Sequence, residues 1–302
     1  HRELKSNEQT KKKHITGIES TKGGVGKTTS TSVIAQLLAV SGQKVLIVDM
    51  DSQKSLTDVM AKDLNTVPAV SINNVVLKDL SLEELESAIV PTQMENIDMI
   101  PADDELAELI YLIHDISKEE PKVIFHFRDN LQKILNEHYD HVLIDTAPAL
   151  SYLSTITTIA CDMILCPIEA DNLSFQSIVN VRDLVDKTQK YYSLEEEKSF
   201  YVFATRVQNR TTRTKMMLAG YEEQLGDIFL PTSIRASEVI ARANTSFVPI
   251  MMSPDKKNEC INEYIDLLKS IDYLDGKQFR KVKRYQEGTS QKKQNTARKG
   301  NK

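Results

Sequence analysis

The chain has 302 residues, of which 40% are apolar, 27% charged and 6% aromatic, an ordinary composition for a soluble globular protein. Three cysteines, Cys161, Cys166 and Cys260, are too few for a disulfide scaffold and fit a reducing, cytosolic compartment, while the longest uncharged stretch, 146–161, is too short and too polar to span a bilayer. The net charge of −5 is unevenly spread: residues 1–14 carry five basic and two acidic side chains, residues 277–302 ten basic and one acidic, and 15–276 a balance of −17.

Short β-rich runs alternate with longer runs of helical period. The first strand is expected at Ile15–Ser20, followed by a glycine-rich loop and a helix, Thr28–Val40, that stops at Gly42. Strands follow at Lys44–Asp49 and Ile97–Pro101, then helices at Glu105–Ile113 and Phe127–Leu135. A fourth strand, His141–Asp145, leads to a fifth, Met163–Ile168, and a helix, Ser174–Lys187. The last strand, Phe200–Thr205, precedes helices Thr214–Leu225 and Asn258–Leu268. Strand–helix alternation at this spacing implies an α/β fold: a mostly parallel sheet with helices on both faces. One domain is expected over 15–276, between a polar basic tail at 1–14 and a basic tail at 277–302. Basic tails on an acidic body fit an anionic partner such as nucleic acid, and the C-terminal run reads equally as a solvated tail. In open parallel sheets ligands bind beyond the carboxyl ends of the strands, so residues just after each strand are the candidates for function.

The first such place reads Lys22-Gly23-Gly24-Val25-Gly26-Lys27-Thr28-Thr29. The chain has only ten glycines, and three of them lie in four consecutive positions here. Residues without a Cβ let backbone N–H groups wrap phosphate oxygens, and the following helix adds its N-terminal dipole. Lys27 then reaches the β- and γ-phosphates and the Thr28 hydroxyl ligates Mg²⁺, as a strand–loop–helix phosphate loop requires. Asp49 and Asp145 end adjacent apolar strands, where carboxylates hold Mg²⁺ through water.

The second lysine, Lys22, makes the loop resemble the deviant Walker A motif of the ParA/MinD family of dimeric ATPases. Val48-Asp49-Met50-Asp51-Ser52-Gln53 resembles the family's Asp-x-Asp-Pro-Gln motif, and Leu143-Ile144-Asp145-Thr146-Ala147-Pro148 its Walker B strand. Ile100-Pro101-Ala102, Cys166-Pro167 and the Leu230-Pro231 to Arg235 segment extend the likeness over about 15–270. The resemblance implies ATP and Mg²⁺ as cofactors and a homodimer formed around two nucleotides. It implies that Asp51 positions the attacking water and that Lys22 crosses the dimer interface to the partner's nucleotide. A charge supplied in trans is worth roughly 10³–10⁵ in rate where an arginine finger does the same work. Two departures stand out. Ser52 replaces the motif's proline and Lys54 the glycine that often follows, so a looser turn is expected after Asp51. The family's Pro-Arg-Asn-Val-Arg reads Pro231-Thr232-Ser233-Ile234-Arg235, which keeps only the second arginine.

Arg206, Arg210, Arg213 and Lys215 form a basic run without an acid between Thr205 and Tyr221, suited to neutralising phosphates without reading bases. By resemblance, Arg210 and Arg235 fall where partition ATPases carry DNA-contacting arginines; a solvated helix face is the plainer alternative. His138 and His141 look like a metal pair but straddle a helix end and a strand start, His126 has no partner at ligand spacing, the cysteines lack a Cys-x-x-Cys pair, and Gly17 stands too alone to make a dinucleotide loop. The expectation is therefore a ParA-type ATPase for plasmid or chromosome partitioning. It would sit on the bacterial nucleoid in the cytoplasm, bind double-stranded DNA non-specifically, and be switched off by a centromere-binding, ParB-type partner that stimulates hydrolysis. Two rivals remain. A MinD-like membrane-associated regulator needs a C-terminal amphipathic helix, for which 277–302 offers only Phe279, Val282 and Tyr285, so no membrane is expected. A non-hydrolysing, nucleotide-gated adaptor would use the fold for assembly alone.

Overall fold

In the computed structural model, which describes residues 13–171, 174–208 and 211–299, the apolar runs build one seven-stranded sheet. Its strands are β1 (His14–Ile18), β2 (Val45–Met50), β3 (Val90–Pro91), β4 (Ile97–Ile100), β5 (His141–Thr146), β6 (Met163–Ile168) and β7 (Ser199–Ala204). They lie in the order β3-β4-β2-β5-β1-β6-β7, all parallel but for the two-residue edge strand β3. The six expected strands are present within a residue or two of their expected limits.

Around the sheet run α1 (Lys27–Val40), α2 (Ser55–Met60), α3 (Ile72–Leu77), α4 (Leu82–Glu86), α5 (Leu106–Glu119) and α6 (Val123–His138). The chain continues through α7 (Tyr152–Ala160), α8 (Ser174–Tyr191), α9 (Thr212–Leu225), α10 (Glu238–Thr245), α11 (Glu259–Ser270) and α12 (Gly276–Lys299). Strand alternation divides the core in two. Leu46, Val48, Val142 and Ile144 face the layer of α5–α8, while Val45, Ile47 and Leu143 face the layer of α1, α11 and α12. β2 and β5 are buried along their whole length, as central parallel strands covered on both faces must be.

Six helices lay outside the sequence reading, α2, α3, α4, α7, α10 and α12, and two of them bear on the core. α7 is built from Ser, Thr and Ile, poor helix formers, yet Leu153, Ile156 and Ile159 are buried, and packing against α6 overrides propensity. α12 begins where the basic tail was expected, and Val282 is fully buried in the core shared with α1 and α11. Of the expected N-terminal tail, residues 1–12 lie outside the described residues; Lys13 Nζ donates to the carbonyls of Leu135 and Asn136 near the C-terminus of α6. Among the described residues no helix is long and apolar enough to cross a membrane.

Gly17, in the middle of β1, leaves room for its neighbours: a Cβ there would stand 2.9 Å from Cys161 Sγ and 3.2 Å from Ile164 Cδ1. Gly17→Val is therefore expected to lower unfolding free energy by about 1–3 kcal/mol through overpacking. Denaturant unfolding of the variant beside the parent checks this, and equal midpoints would contradict it.

Candidate functional site

The loop from Glu19 to Gly26 joins the carboxyl end of β1 to α1. Gly24 and Gly26 take left-handed backbone conformations, φ +76° and +83°, that a side chain would strain. Gly26 is the N-cap of α1, and no side chain caps the helix, so its first N–H groups point into the loop. The loop is anchored from behind: Val25 is buried, and Thr205 Oγ1 at the end of β7 donates to Val25 O at 2.6 Å and to Ile168 O at 3.1 Å.

Two carboxyl groups stand beside the loop. In the β2–β5 register Asp49 lies opposite Asp145, both fully buried. Thr28 Oγ1 donates to Asp145 Oδ2 at 2.7 Å, and Thr31 Oγ1 reaches Oδ1 at 3.3 Å. Asp49 accepts from Thr57 N at 2.9 Å, Thr57 Oγ1 at 2.8 Å and Asp51 N at 3.1 Å. Burial pushes both carboxyls above the usual carboxylate range, and in Asp145 the Asp49 charge adds to it. Lys27 is also buried; desolvation pulls its ammonium below the ordinary lysine value against the attraction of Asp145 and Asp51. Thr28, Asp49 and Asp145 make an all-oxygen donor set suited to a hard dication. Among the described residues no group of three or more His, Cys, Asp or Glu is placed to hold a metal by itself, so such a cation needs water or phosphate oxygens to complete its shell.

The turn after Asp51 is closed, not loose. Asp51 Oδ1 accepts from Gln53 N at 3.0 Å and Asp51 O from Lys54 N at 2.9 Å. Lys54 itself adopts φ +57° where glycine would be easier, and its ammonium pairs with Asp104 at 2.6 Å. The carboxylate of Asp51 faces the cleft.

Lys22 does not point at the loop's own phosphate space. Its ammonium donates to Glu169 Oε2 at 2.8 Å and to Asp171, two acids just past the end of β6. Partial desolvation opposes its charge, but the hydrogen bonds to Asp171 and Glu169 together hold its pKa above the ordinary lysine value. The sequence signal for this pair was a cluster of acids directly after a strand, the position where function was being sought.

A cleft of about 1580 Å³ opens over the strand ends, lined by Gly23, Gly24, Gly26, Thr28, Thr29, Asn244 and Tyr264 among others. Arg206 and Arg235 also line it instead of extending a separate basic surface with Arg213. Arg206, at φ +51°, turns its guanidinium onto Gly24 O, with Glu169 Oε1 3.7 Å from Nε. Arg235 Nε donates to Glu263 Oε1 at 2.8 Å, and a second guanidinium nitrogen pairs with Glu259. Arg213 is exposed in the first turn of α9, and Arg210 lies outside the described residues.

Sequence reasoning also passed over Glu19, which is buried beneath the loop with Oε1 unpartnered; desolvation raises its pKa to about 8 against the pull of Lys27. The folded chain thus keeps a proton that the unfolded chain releases near pH 4.5. More protons bound in the folded state mean that stability falls as pH rises from 4.5 towards 8, by at most about 1.4 kcal/mol per pH unit for one group. Asp49 and Asp145 act with the same sign. Glu19→Gln is expected to flatten, without abolishing, this decline, which urea unfolding at pH 5 and pH 8 measures; an unchanged decline would contradict the assignment.

The AAA domain family matches residues 13–199, more than half of the chain. Soj of Bacillus subtilis, a sporulation initiation inhibitor protein, is 26% identical over 258 residues, 85% of this chain and 97% of its own length. The chromosome partitioning protein ParA of Myxococcus xanthus is 24% identical over 225 residues, 73% of this chain and 76% of its own. A McdA variant of Cyanothece, solved in complex with ATP, shares the fold with a TM-score of 0.73 at 19% identity, covering 87% of this chain and 98% of that one. With the phosphate loop, the paired strand-end aspartates and the second lysine all set in one fold, the chain belongs to the ParA/MinD family of P-loop ATPases.

Proposed function

We propose that the chain is a ParA-type ATPase that binds Mg-ATP, pairs with a second copy around two nucleotides, and holds DNA without sequence preference until hydrolysis releases it. The observation that carries this reading is the site's charge arrangement. Two buried carboxyls, a buried lysine and an uncapped helix N-terminus meet at one loop, which suits a triphosphate with its metal. Gly23, Gly24, Val25 and Gly26 offer backbone N–H groups to the phosphates, Lys27 pairs with the β- and γ-oxygens, and Thr28 and Thr29 open the helix. Thr28, Asp49 and Asp145 would hold Mg²⁺, which when bound neutralises phosphate charge. Asp51, on its closed turn, orients the attacking water. The chromosome partitioning role of the Myxococcus relative supports the output, with a ParB-type partner as the stimulator of hydrolysis and the nucleoid as the place of action.

The test of the function is binding of a random-sequence DNA duplex, followed by fluorescence anisotropy, with ATP or ADP. Tight binding with ATP and weak binding with ADP is expected. Equal binding with both, or ATP-dependent binding to anionic vesicles instead, would overturn the partition reading.

For Lys22 to act on a partner's nucleotide it must leave Glu169 and Asp171. Both pairs are partly exposed, and each such pair is worth about 0.2–1 kcal/mol. Glu169→Gln is therefore expected to strengthen ATP-dependent dimerisation up to about fivefold, while Lys22→Ala abolishes it and leaves ATP affinity nearly intact. Light scattering on a size-exclusion column with and without ATP measures the first, and calorimetry the second. Full dimerisation and turnover by Lys22→Ala would rule out the trans role.

A further inference from the structure

Two cations beside the cleft are engaged by the chain's own acids: Lys22 by Glu169 and Asp171, Arg235 by Glu259 and Glu263. The region 15–276 carries a balance of −17 and repels polyanions. Among the described residues, a row of exposed cations outside any ion pair lies elsewhere, on α12. We propose that the exposed face of α12 is a docking surface for the phosphate backbone of double-stranded nucleic acid, with Lys277, Arg280, Lys281 and Arg284 as its contacts.

The four side chains recur at i, i+3, i+4 and i+7, the spacing that puts residues on one face of a helix. All four are exposed, and among the described residues none of them is in an ion pair. The opposite face is spent on the body. Gln278, Val282 and Gln286 are buried at intervals of four, and Gln286 Nε2 donates to Lys256 O at 2.8 Å. Lys269 Nζ sits 3.8 Å from the Phe279 ring centroid, and Lys283 Nζ donates to Asn262 Oδ1 at 2.8 Å. The stripe is therefore carried on a docked helix, whose backbone needs no ordering on binding.

This packing also selects the partner. A helix that binds a bilayer must offer a free apolar face, and here the apolar residues point into the protein. The two aromatics near the stripe are both covered, Tyr285 by the Lys256 ammonium at 4.4 Å and Phe279 by the Lys269 ammonium at 3.8 Å, and offer no free platform for an unstacked base. What remains is charge on a straight helix edge. From 277 to 284 the helix rises about 10 Å, along which a DNA duplex presents roughly six phosphates. The choice of DNA over an RNA duplex rests on the partition reading; the surface itself does not. Lys281 lies over Gly42, just past the C-terminal end of α1, about 20 Å along that helix from the phosphate loop. Neutralising the stripe therefore leaves the nucleotide site untouched.

The test uses the full chain with ATP and a random-sequence DNA duplex, titrated across a range of salt. The combined variant K277Q/R280Q/K281Q/R284Q is expected to lose up to about 3.6 per chain from the slope of log affinity against log salt, about 0.9 for each phosphate contact. The charge-preserving K277R/R280K/K281R/R284K variant keeps the slope, as does Arg213→Gln with Lys215→Gln on α9. Retained ATP turnover and circular dichroism report that the combined variant is folded. A parental slope in the folded glutamine variant would overturn the proposal, as would a parent that binds phosphatidylglycerol vesicles but no duplex. Loss of slope in the glutamine variant, with parental binding equal in ATP and ADP, would sustain this surface while refuting the partition switch.

Discussion

Asp49 and Asp145 face each other on neighbouring parallel strands, both fully buried. Two like charges in that position are costly, and the surroundings offset the cost only in part. Hydroxyls of Thr28, Thr31 and Thr57 donate to them, and Lys27 supplies a positive charge that is itself disfavoured by burial. The carboxyls respond by holding their protons more tightly than usual. A metal-bound polyphosphate would complete this arrangement: a dication for the carboxylates, and phosphate oxygens for Lys27 and the open end of α1. The protein thus leaves the electrostatics of this site unfinished.

Three other cations around the cleft show the reverse condition, each balanced by acids inside the chain. Glu169 and Asp171 hold Lys22, Glu169 stands near Arg206, and Glu259 with Glu263 holds Arg235. Such pairs are individually weak where solvent reaches them. Each can therefore be broken at modest cost, which is what the proposed reach of Lys22 to a second copy requires. The same neutralisation means that an arginine in the expected sequence position is not thereby an available DNA contact. Availability depends on which acids the fold brings beside it.

Much of the architecture was legible because parallel strands covered on both faces must be apolar throughout, and runs such as Val45–Val48 and Val142–Ile144 are short, rich in β-branched residues and bounded by polar residues. The phosphate loop was legible because three glycines between a strand and a helix answer a backbone requirement that is purely local. α7 was not, since its Thr and Ile residues favour extended structure and only contact with α6 makes them helical. The turn after Asp51 was misjudged for a related reason. Lys54 is a poor choice for φ +57° on local grounds, and hydrogen bonds to Asp51 with an ion pair to Asp104 hold it there.

The sequence by itself determined the six parallel strands, the longer helices with a clear period, the glycine loop after β1 and the identity of the two strand-end aspartates, because period, glycine placement and strand ends are properties of neighbouring residues. Only the tertiary structure decided that those aspartates share a register, that Lys22 and Arg235 are paired with acids 147 and 28 positions away, and that the basic C-terminal segment is docked through Val282. Charge and burial depend on what surrounds a side chain in space. Residues far apart along the chain supply those surroundings, and composition counts them without placing them.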